Sequence, residues 1–198
     1  QYEMLNFIRK VVLIGVLFLS NLFSTPFQFN QSTLQAFYFI SNPTYNDAPL
    51  SSDDWIGAYR CLEWNGTECL SIGQCVGGRK WDTSLCGGEL CDVLAMGDDG
   101  SDYSDGYMTP GDIPVFKMYI ASQNIYLDIE NITDYLTDDP IMQNEVCSWS
   151  NNNFCMLGDM QAIVPEINGC TDEIACNFNE SAINNDGSCF YAEENFDC

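Results

Sequence analysis

Four carboxylates crowd one short stretch, Gly97-Asp-Asp-Gly-Ser-Asp-Tyr-Ser-Asp-Gly-Tyr107, where Asp98, Asp99, Asp102 and Asp105 are interleaved with Gly100 and Gly106. Calcium takes roughly six to eight hard oxygen ligands from a flexible loop, and glycines let a chain fold carboxylates and carbonyls around one centre. Without a cation, such a cluster repels itself. The stretch lacks the ligand spacing of an EF-hand, so two readings stand: a calcium loop and a solvated acidic turn. A weaker set lies near the carboxyl end, where Asp172, Asn185 and Asp186, with Asn177 and Asn179, offer oxygens around a disulfide-held turn. The competing use of these residues is ordinary turn formation beside Gly187.

Aromatic residues offer a different chemistry, because a ring joins an apolar plane to a polar edge that suits sugars. Among four tryptophans and ten tyrosines, Trp64 falls at the tip of an expected hairpin and is the candidate carbohydrate contact. Trp55, Trp81 and Trp149 are expected between sheets. Catalysis finds no such footing. The chain has no histidine, so no Ser-His or Cys-His pair can form. No glycine-rich phosphate loop leads into a helix, and the many acidic residues define no glycosidase pair. The expectation is a protein that is not an enzyme.

The elements that would position these residues begin with a leader. Arg9 and Lys10 precede an apolar run, Val11 to Leu19, and a small polar tail ending near Ser24. Residues 1–24 therefore read as a secretory signal peptide. The rival membrane anchor is too short, since Val11 to Phe23 as a helix reaches about 20 Å against roughly 30 Å of hydrocarbon. The net charge is −23, and removing the leader makes it more negative. Nucleic acid is excluded as a partner by electrostatics, and no stable membrane span is expected.

Eleven cysteines follow, Cys61, Cys69, Cys75, Cys86, Cys91, Cys147, Cys155, Cys170, Cys176, Cys189 and Cys198. In an oxidising compartment they read as disulfides. Zinc competes poorly, for want of histidine and of paired C-x2-C spacing. The odd count leaves one thiol, and Cys198, the last residue, is expected to be the one whose partner lies in a further repeat.

Between about Leu34 and Glu166, short β-branched and aromatic runs alternate with Gly, Pro, Asn and Asp clusters, the pattern of an all-β, antiparallel β-sandwich stapled by disulfides. The expected strands are 37–40, 55–60, 75–81, 113–120, 124–129 and 160–164. In the fourth, Phe116, Met118 and Ile120 share one face, and in the fifth, Ile125, Leu127 and Ile129 do. A hairpin through Ala121-Ser-Gln-Asn124 joins them. In CLEWNGTEC, a three-residue Trp64-Asn65-Gly66 loop would set Cys61 opposite Cys69 and predicts a bond between them. The β module spans 25–166. Residues 167–198 form a small cysteine-rich repeat with little regular structure.

That last segment, with Gly169-Cys-Thr-Asp172, Ala175-Cys-Asn-Phe-Asn179 and Asn185-Asp-Gly-Ser-Cys189, resembles a repeat of large secreted bacterial proteins, many of which use type IX secretion. The preceding DWIGAYR, CVGGRKWDTSLCGG and CSWSNN stretches resemble the β module found ahead of that repeat. The CLEWNGTECLSIGQ excursion departs from it in length. The resemblance implies a modular secreted or cell-surface protein, with further repeats or a sorting domain beyond residue 198. The function expected is structural display or adhesion without catalysis, stabilised by calcium, with extracellular or cell-surface glycans or proteins as partners. The alternative is a carbohydrate-binding module that targets an attached enzyme to polysaccharide.

Overall fold

The computed structural model describes residues 25–88, 90–162, 168–180, 182, 184–192 and 198. The leader expected at 1–24 and residues 163–164 of the last expected strand lie outside them. The chain divides into two compact units, residues 1–162 and 163–198.

The first unit is all-β. In chain order its strands are β1 (Gln35–Tyr45), β2 (Ala48–Pro49), β3 (Trp55–Trp64), β4 (Cys69–Lys80), β5 (Cys91–Met96), β6 (Pro114–Ile120), β7 (Ile125–Asp134), β8 (Pro140–Ile141) and β9 (Phe154–Ala162). They form one continuous sheet in the order β2-β1-β9-β7-β6-β3-β4, with β5 also on β1 and β8 also on β7. Strand β7 folds that sheet over. Its first half pairs with β6, Asp128 opposite Lys117, and its second half pairs with β9, Ile129 opposite Ala162. The layer of β3, β4 and β6 thereby faces the layer of β1, β5 and β9, and Tyr38 meets Phe116 edge to face across the gap, ring centres 5.6 Å apart.

Strand alternation builds the core between these layers. Phe116, Met118 and Ile120 of β6 are buried with Ile56 and Ala58 of β3, against Tyr38, Ile40, Val93, Ala95, Leu157 and Met160. On β7, Leu127 and Ile129 turn in while Tyr126, Asp128 and Glu130 are exposed. The expected hairpin is present, with Ile120 opposite Ile125. Packing between layers is tight at Gly77, where an added Cβ would lie 1.6 Å from the Leu94 carbonyl oxygen. Trp81 and Trp149 are buried as expected, and the Trp149 indole nitrogen donates to the Ala95 carbonyl at 2.8 Å.

Several expectations are corrected. The sheet is mixed, because β1 and β9 run parallel. Parallel neighbours need a long crossover, and all of β2 to β8 lies between these two strands. Strand β5 and the first residues of β9 were not anticipated. Trp55 is half-buried on the outer face of β3 and not between layers. The hairpin excursion contains a disulfide between Cys61 and Cys69, but the loop is Asn65 to Glu68. Asn65 closes it, its amide donating to the Glu68 carbonyl at 3.1 Å and its side-chain oxygen accepting from Thr67 and Glu68. Trp64 stands opposite Cys69 and Cys61 opposite Ile72, so register shifts, not direct opposition, bring the sulfurs together.

Two further disulfides, Cys86 to Cys91 and Cys147 to Cys155, belong to the first unit. In the second, Cys170 bonds Cys189 and Cys176 bonds Cys198. The free thiol is therefore Cys75 and not Cys198. Cys75 stands opposite Tyr59 in the β3–β4 pair, where no cysteine faces it. Among the described residues, the second unit otherwise holds one short parallel strand pair, β10 (Asn168–Gly169) with β11 (Asn184–Asn185). Among the described residues, no helix is long and apolar enough to cross a membrane.

Candidate functional site

Strand register lines up four side chains on the outer face of the β3, β4 and β6 layer. Lys80 of β4 is opposite Trp55 of β3, Trp55 is opposite Tyr119 of β6, and Tyr119 is opposite Tyr126 of β7. Their strand neighbours Ile56, Met118 and Leu127 point into the core, so alternation obliges this row to point out. The Tyr119 and Tyr126 rings lie 4.8 Å apart, tilted by 48°. Together with Trp55 they floor an open groove of about 880 Å³.

Both walls of the groove are fastened by hydrogen bonds. On one side the amino-terminal segment crosses the sheet. Phe27 is buried over the Gly57 and Gly78 pair, where a Cβ would come within 2.3 and 2.8 Å of its atoms. Its ring meets Tyr59 and Tyr126 edge on, and the Tyr126 hydroxyl donates to the Pro26 carbonyl at 2.8 Å. The other wall is two turns held by one buried carboxylate. Asp54 accepts from the Ser51 amide at 2.7 Å and from the Ala121 amide at 2.9 Å. On the rim, Lys80 and Asp53 pair at 2.8 Å, and the Tyr119 hydroxyl donates to Asn124 at 2.9 Å. The Asp53 hydrogen bond holds the Lys80 ammonium above its ordinary pKa.

The acidic loop separates its four carboxylates into two roles. Asp99 is a fastener: one oxygen accepts from the Thr33 amide and hydroxyl, both at 3.0 Å, and the other from the Ser101 amide and the Ser104 hydroxyl. The Thr33 amide and Ser104 hydroxyl hold its carboxyl far below the usual carboxylate range. Ser104 is fully buried beneath it. Asp98, Asp102 and Asp105, with Gly100 and Ser101, line a shallow depression of about 390 Å³, and Asp99 is not part of that lining. Gly100 and Gly106 take positive φ at the two bends, where a side chain would be strained. Among the described residues, no three Asp, Glu, Cys or His side chains converge closely enough to hold a metal ion.

In the repeat, the weaker candidates serve its turns. Asp172 accepts from the Ile174 amide and the Tyr191 hydroxyl, Asn185 from the Gly187 amide, and Asp186 from the Ser188 amide. The three amide contacts are Asx-type turns. Trp64 is half-buried at the end of its hairpin, and the excursion folds back on the first unit, Asn144 donating to the Gly66 carbonyl at 2.6 Å.

Trp55, Tyr119, Tyr126 and Asp54 were not singled out by the sequence. Alternation along β6 and β7 was the available signal for the two tyrosines. Comparison with known proteins returns no match, whether among family models, curated proteins or solved structures.

Proposed function

We propose that the chain is a non-catalytic module of a larger secreted or cell-surface protein, used for structural display or adhesion. The observation that carries this reading is that each of the two compact units has its own disulfides, three in the first and two in the second. Disulfides persist in oxidising, extracellular settings. Calcium stabilisation is part of the reading: Asp98, Asp102 and Asp105 line the shared depression without converging, and the ion would have to draw them together. An antibody against the chain should label intact, unpermeabilised source cells or appear in their medium. Signal confined to lysates, with all cysteines reduced, would sink the proposal.

A second reading, a carbohydrate-binding module, is favoured by one specific feature, the in-register row of Trp55, Tyr119 and Tyr126. It moves the expected sugar contact from Trp64 to the sheet face.

A further inference from the structure

We propose that the groove floored by Trp55, Tyr119 and Tyr126 binds a neutral oligosaccharide chain. The proposal rests on the carbohydrate-binding reading and gives it a site and a ligand class. Packing accounts for only one side of the row, where Phe27 meets the Tyr126 ring edge on. The same unit buries Trp81 and Trp149 almost completely, yet leaves three rings side by side on an outer face with Tyr126 49% exposed. At the usual strand separation of about 4.8 Å, three rings on neighbouring strands extend about 10 Å, the length of a disaccharide. A row of that kind offers a sugar chain a continuous strip of apolar ring surface beside a polar rim.

The rim and the overall charge select among ligands. Donors and acceptors line the side of the two turns: Lys80 and Asp53, the Tyr119 hydroxyl with Asn124, and the Ser51 and Ser122 hydroxyls. The one cation of this rim is matched by Asp53 at 2.8 Å, so the groove carries no surplus positive charge. The chain as a whole stands at −23, which repels acidic polysaccharides. A neutral glycan meets neither obstacle. The groove volume of about 880 Å³ falls in the range of small-ligand clefts, roughly 300–1,000 Å³. Its walls are also set in advance. Asp54 ties the Ser51 and Ala121 turns together, and Tyr126 anchors the opposite wall through Pro26, so little ordering cost remains for binding.

The test is native affinity electrophoresis of the full chain, disulfides formed, through gels containing hydroxyethylcellulose, laminarin, galactomannan or pullulan, with polygalacturonate as the acidic arm. The wild type should be retarded in at least one neutral gel. Tyr126→Ala and Trp55→Ala should each weaken that retardation about tenfold, the scale of one lost aromatic contact. Tyr126→Phe, which keeps the ring, should retain most of it, and Trp64→Ala all of it. Melting curves establish that each variant is folded. If Trp55→Ala is not, Tyr126→Ala decides, because its ring is half exposed. Absence of retardation in every neutral gel, retardation in polygalacturonate alone, or equal retardation of wild type and Tyr126→Ala would each overturn the proposal. Those results would leave the surface-module reading intact, which the labelling of intact cells tests separately.

Discussion

The two units are held together by different means. The first encloses large side chains, among them Tyr38, Ile40, Ile56, Met118 and Trp149, between two layers. Its disulfides join residues only 8, 5 and 8 positions apart and pin local excursions. Among the described residues of the second, only Gly169, Cys170 and Ala175 are buried, and its disulfides close spans of 19 and 22 residues. A segment this short cannot bury enough apolar surface to offset its chain entropy. In one unit the bonds trim a structure that packing already specifies; in the other they are most of what specifies it.

Reduction should break this contrast open and gives the largest expected effect. Each repeat disulfide closes a loop long enough to be worth about 3 kcal/mol, and nothing buried can replace it. With reductant at neutral pH, amides of residues 168–180 should lose hydrogen-exchange protection almost entirely, while those of β6, β7 and β9 keep most of theirs. Persistent protection in the reduced repeat would mean that its turns fold without staples. Equal loss in both units would mean that the sandwich core is far weaker than its burial indicates.

How each unit was legible in the sequence follows from the same difference. Period-two alternation is a local signal, so the faces of β6 and β7 and the hairpin between them could be read directly. The buried strand β5, Cys91–Met96, alternates weakly because its apolar residues run together, and it sits beside the acidic stretch that drew attention instead. The aromatic groove needed the register between β3 and β6, strands whose paired residues Trp55 and Tyr119 are far apart in the chain. No local pattern carries that. The acidic loop was legible as composition, but the division of labour within it was not. Asp99 turns toward Thr33, a contact just beyond the paired ends of β1 and β5 that spacing cannot reveal. The thiol count and the Cys61 to Cys69 bond were legible, while the odd thiol was not, because Cys75 is excluded by what stands opposite it on β3 and not by its position in the chain.

Calcium sharpens the contrast further, with a middle-sized effect confined to the first unit. Oxidised protein in excess chelator, then with about 10 mM calcium, well above the expected dissociation constant of extracellular sites, should show a rise of several degrees in the melting transition of the sandwich. Asp98→Asn with Asp102→Asn should abolish it. The repeat should not respond, since both Asp172 oxygens are taken, by the Ile174 amide and the Tyr191 hydroxyl, and Asn185 and Asp186 serve their own turns. No shift in either unit would reduce the loop to a solvated acidic turn.

The smallest effect concerns two turn carboxylates, one in each unit. Asp99 and Asp186 both have pKa values lowered in the fold. For Asp99 the largest cause is the hydrogen bond from the Thr33 amide, and for Asp186 it is that from the Ser188 hydroxyl. A carboxyl whose folded pKa is depressed contributes stability above its unfolded pKa, about 4, and loses it as pH falls toward the folded value. Asp99→Asn should therefore lower the stability of the first unit at pH 7, and the gap from wild type should narrow as pH drops below about 4. In the second unit Asp186→Asn should follow the same sign with a smaller amplitude, because Asp186 fastens only its own turn, Ser188 two residues away, whereas Asp99 ties residues 66 positions apart. Denaturant melts across pH 2 to 7, read by tryptophan fluorescence for the sandwich and by hydrogen exchange for the repeat, separate the two. A gap for Asp99→Asn that stays constant across that range would show that the Thr33 contact contributes through shape rather than through charge.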